Sequence, residues 1–75
     1  MKNKYRVNFF PVSFDREVVG LPFVATSYQV NKLAYVLSLV FKYSQYSMIC
    51  INKEYPDGRL ETVVTLDFPN AKESV

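Results

Sequence analysis

Histidine and tryptophan are missing from this sequence, cysteine occurs once and glycine twice. Each shortage removes a class of chemistry. Without histidine the commonest general base and the commonest metal ligand are gone. Cys50 has no second cysteine to bridge within the chain, and one thiolate cannot hold a structural zinc. Gly20 and Gly58 are too few and too far apart for a phosphate-cradling loop. The longest apolar stretch, residues 33–41, is interrupted by Tyr35 and Ser38 and is about half of what a membrane span needs. The start lacks the apolar core of a signal peptide. The closest carboxylates, Asp15 and Glu17, flank Arg16 in an expected turn, where such residues are ordinary. The expectation is a non-enzymatic chain with no metal, no cofactor and no membrane association. A single cysteine makes the cytoplasm the default location.

What is present is apolar. Of 75 residues, 49% are hydrophobic and 21% are charged, a globular balance in one intact domain. Six Phe and six Tyr supply bulk for a core. Domains this small bury a modest fraction of their surface and commonly need a staple. With disulfide and zinc excluded, self-association or a protein partner is the remaining one.

Residues 4–14 read as a strand, with Tyr5, Val7 and Phe9 on one face and Arg6, Asn8 and Phe10 on the other. Pro11 has no N–H, which calls for an edge position or a bulge. Residues 17–25 form either a second strand or an irregular apolar loop, because Gly20 and Pro22 weaken the pattern. Residues 26–45 are a helix. Thr26 and Gln29 have capping-box spacing, and Val30, Leu33, Ala34, Leu37, Val40 and Phe41 follow as its core stripe. Asn31, Ser38, Lys42 and Gln45 make a polar stripe that includes Tyr35. Val36, Leu39 and Tyr43 project beside the core stripe. At about 100° per residue the apolar arc spans about 220°, twice what a surface helix needs. Either a curved sheet wraps it, or those three residues meet another chain.

Residues 46–54 and 59–68 form a hairpin around Pro56-Asp57-Gly58, a type I turn closed by a left-handed glycine. A three-residue loop sets Lys53 opposite Glu61, Asn52 opposite Thr62, Ile51 opposite Val63 and Cys50 opposite Val64. In this register Tyr46, Met48, Cys50, Val64, Leu66 and Phe68 face the helix. Ile49, Ile51 and Val63 are left at the centre of the outer face, with a polar rim. That is how a contact patch looks, unless another segment folds over it. Residues 69–75 read as a frayed polar tail.

The expected fold is a small α+β domain, ββαββ, or βαββ if residues 17–25 are irregular. The expected function is protein binding, as a homodimer or as an accessory or inhibitory subunit on a larger protein. Its contact residues would be Val36, Leu39, Tyr43, Ile49, Ile51 and Val63. The alternative is nucleic-acid binding through Lys2, Lys4, Tyr5 and Arg6, although a net charge of +2 is a weak footprint.

Overall fold

β-Branched and aromatic runs become strands, and the one segment with a helical apolar period becomes the helix. The structure, a computed structural model, describes residues 1–72. Its elements are β1 (Asn3–Pro11), β2 (Val19–Ala25), α1 (Ser27–Val40), β3 (Tyr46–Glu54) and β4 (Leu60–Asp67). They form a ββαββ α+β domain with one antiparallel sheet in the order β2-β1-β3-β4. Residues 19–25 are therefore a strand. Gly20 sits opposite Asn8, and a side chain there would meet the Asn8 amide oxygen at 2.8 Å. Pro22 costs the ladder little because β2 is an edge strand. Pro11 lies on central β1, and its register slips at Phe10–Pro11, so the bulge is realised and the edge is not.

α1 begins as its sequence dictates. The Thr26 hydroxyl accepts from the Gln29 N–H, and the Gln29 side-chain oxygen accepts from the Thr26 N–H. It ends at Val40, short of the expected residue 45. Ser44 ends it in two ways: its hydroxyl donates to the Phe41 carbonyl and accepts from the Tyr46 N–H. Local bonds of this kind compete with the helix. The Phe41 ring is also claimed elsewhere, packing tilted against Phe9 at 5.4 Å and edge-to-face against Tyr46 at 5.9 Å.

The turn at Pro56-Asp57-Gly58 forms as expected. Tyr55 N–H donates to the Arg59 carbonyl, Gly58 N–H donates to the Tyr55 carbonyl, and Gly58 has φ 89°. Lys53 faces Glu61 and Asn52 faces Thr62. Beyond that pair the expected register fails. A bulge at Val63 sets Ile51 opposite Val64, Cys50 opposite Thr65 and Ile49 opposite Leu66. One extra residue exchanges the faces of a strand. Ile49 and Ile51 therefore lie under the helix, both 0% exposed, while Met48 and Cys50 turn to the other face. The core is Tyr5, Val7, Ala25, Val30, Leu37, Ile49, Ile51 and Phe68.

Four strands at about 4.8 Å make a sheet about 15–20 Å wide, and a helix with side chains is about 10 Å across. One helix covers only part of such a sheet. α1 leaves β2 at Ala25 and ends beside β4, where Ser38, Leu39 and Lys42 line a cleft with Leu66 and Phe68. The start of β2 stays open. Leu21 and Val19 pair with Val7 and Phe9 and so point to the helix side, yet Leu21 is 53% exposed. Val40, expected in the core, is 66% exposed on the flank of α1 that turns away from β4. The expected frayed tail is partly tied down. Ala71 packs against the core and the Lys72 N–H donates to the Ser44 carbonyl. Its remainder, residues 73–75, lies outside the described residues.

Candidate protein-interaction surface

The core stripe of α1 runs through Val30 and Leu37. On the outward side lie Tyr28, Tyr35, Val36 and Leu39, with Tyr43 three residues past the end of the helix, all exposed, Leu39 at 60%. A helix normally carries charge on this side. Here two lysines contribute charge, and both lie over tyrosine rings: Lys32 Nζ is 4.9 Å from the Tyr28 ring centre and Lys42 Nζ is 5.6 Å from that of Tyr43. Such contacts are worth about 0.5–1 kcal/mol at exposed sites. The sequence from Ser27 to Tyr43 contains no carboxylate. The outward side of the helix is thus an apolar, weakly cationic ridge. It contains a shallow depression of about 310 Å³ between Tyr28, Asn31, Lys32, Tyr35 and Val36. The cleft between α1 and β4 is larger, about 410 Å³, and open.

Three of the six expected contact residues, Val36, Leu39 and Tyr43, share this ridge. Val63 is exposed, but it sits alone at the β4 bulge. Ile49 and Ile51 are in the core and unavailable for contact. The outer face of the sheet is polar where their patch was expected. Arg6 Nε donates to Glu54 at 3.0 Å, and the Thr62 hydroxyl donates to Asn52 at 2.7 Å.

The N-terminal basic group is not brought together. Tyr5 is buried and stacks on Phe23 at 5.6 Å on the helix side. Arg6 lies on the opposite face and is engaged by Glu54. Lys2 and Lys4 flank Glu54 and Tyr55. No aromatic of this group is free to stack on a base.

The sequence reading missed a second apolar area at the loop after β1 and the start of β2. Phe14, Val18, Val19 and Leu21 are exposed there. The surplus of apolar residues in 17–25 was its only visible sign. Asp15 and Glu17 border this area. Hydrogen bonds from the Ser13 hydroxyl and from its own backbone N–H hold the Asp15 carboxyl below the usual carboxylate range. Arg16 is turned aside, donating to Gln45 at 2.6 Å. On the hairpin, Tyr55 donates its hydroxyl proton to Glu61 at 2.9 Å, which pushes the phenol above its ordinary value.

Among the described residues, no group of three His, Cys, Asp or Glu side chains is placed to hold a metal ion. No helix among them is long and apolar enough to cross a membrane. Compared with protein-family models, with curated proteins and with solved structures, the chain matches none.

Proposed function

We propose that this chain is a protein-interaction module whose contact surface is the outward ridge of α1. It acts either as a self-pair or as an accessory or inhibitory subunit seated on a larger protein. The observation that carries this reading is the ridge itself: three tyrosines, a leucine and a valine exposed opposite the core stripe, with no carboxylate among them. Large aromatic side chains in a contiguous exposed patch are the usual anchors of protein contacts. The sheet edges are poor competitors. β2 carries Pro22 at its middle and β4 carries the Val63 bulge, and both devices discourage strand addition. The single half-buried thiol of Cys50 supports a cytoplasmic setting.

Site-specific photo-cross-linking in the native host tests the reading. A photoreactive residue replacing Tyr35 is expected to give an adduct of discrete mass. The same residue replacing Thr62, on the outer sheet face, is expected to give none. The proposal fails if Tyr35 gives no adduct, or if both positions give the same smear.

A further inference from the structure

We infer that the ridge of α1 docks on the uncovered corner of the sheet in a second copy of this chain, and reciprocally. This rests on the interaction reading above and names its partner. The molecule exposes two apolar surfaces of complementary form. One is convex: Tyr28, Tyr35 and Leu39 along the helix, with Tyr43 just beyond its end. The other is a shelf, floored by Val19 and Leu21, both exposed on the helix side of edge strand β2. The shelf has the dimensions of a missing helix, because the sheet has width for two and α1 covers only part of it. A two-fold axis that places one ridge on the partner's shelf places the other ridge on the first shelf. The two helices then lie side by side between two sheets, and both vacant corners are filled.

Charge supports the same pairing. The ridge carries Lys32 and Lys42 without a carboxylate. The loop leading into the shelf carries Asp15 and Glu17, while its Arg16 is bonded back to Gln45. A ridge on a ridge would instead bring lysines together. Area supports it too. A stable dimer covers about 800 Å² per partner. Three tyrosines exposed by about two-thirds supply about 400 Å² of that. Leu39, Val36, Val40 and the shelf supply the rest.

The test combines light scattering across protein concentration with two lysine variants. Leu39→Lys alters the ridge and Leu21→Lys alters the shelf. Both positions are more than half exposed, so circular dichroism should match the parent. The parent is expected to have twice the mass of one chain at low and high salt. Each variant is expected to weaken self-association at least about tenfold, as an unpaired charge at a contact does. An equimolar mixture of the two is expected to associate more tightly than either alone, because one ridge and one shelf remain intact in the mixed pair. A parent that stays monomeric to millimolar concentration overturns the inference. So does a Leu21→Lys variant that pairs as tightly as the parent, or a mixture that gains nothing. A monomer that nevertheless cross-links at Tyr35 to a larger protein overturns the second copy and leaves the interaction reading standing. A monomer with no adduct removes both.

Discussion

Two isoleucines and a leucine show how burial, and not residue type, decides what a side chain does here. Ile49 and Ile51 have no exposed surface, while Leu39 has most of its own in solvent. Truncating Ile51 to alanine removes fully buried methyl groups and leaves a cavity, which costs about 2–5 kcal/mol. That is a large share of the 5–15 kcal/mol typical of a folded domain. Leu39→Ala in a monomeric sample should cost less than about 0.5 kcal/mol, as exposed substitutions do. Urea unfolding of the two variants checks this, and equal losses would contradict the assigned faces. Where the determinants are local, they could be read from the sequence. Pro56, Asp57 and Gly58 define their turn among themselves, and Thr26 and Gln29 define the helix start. The faces of Ile49 and Ile51 could not be read, because Met48 and Cys50 give the opposite phase of β3 an equal apolar claim.

At the level of elements, the decisive feature is the bulge in β4. The hairpin turn sets the register from one end, and the bulge resets it midway. It leaves a single trace in the sequence, the adjacent Val63 and Val64, where strict alternation loses phase. Deleting Val63 removes the extra residue but leaves Thr62 opposite Asn52, Val64 opposite Ile51 and Leu66 opposite Ile49, so Val64 and Leu66 keep the helix face. The deletion and Val63→Ala are each expected to cost less than about 1 kcal/mol. Thermal unfolding by circular dichroism checks both, and a deletion that loses about 3 kcal/mol, the burial of Val64 and Leu66, would mean the faces are not those of the bulged register. The helix was legible in its start and its core stripe, apart from Val40. Its end was not, since Ser44 and the Phe9–Phe41–Tyr46 cluster act across strands that a helical period does not encode.

For the molecule as a whole, one helix on four strands leaves apolar surface that its own chain does not cover. If a second copy covers it, folding and pairing are linked, and the melting temperature should rise with protein concentration. Differential scanning calorimetry over a hundredfold range, about 2.7 kcal/mol of linkage where every molecule pairs, reads this directly. A concentration-independent Tm would count against the pair. The fold class was readable because each hairpin and the helix have their own local patterns. The uncovered corner was not, because it depends on strand order, which puts the first strand at the centre. That order has a consequence for how the chain acquires its structure. β1 precedes β3 by the whole of β2 and α1, yet its partner across the middle of the sheet is β3, where residue 4 meets residue 54. Until β3 emerges, the chain can form only the β1–β2 hairpin and an uncovered helix, and two-stranded hairpins are marginal in water. The central seam, and the core beneath the helix, therefore close only after β3 has been made, by contact between two segments that a strand and a helix separate.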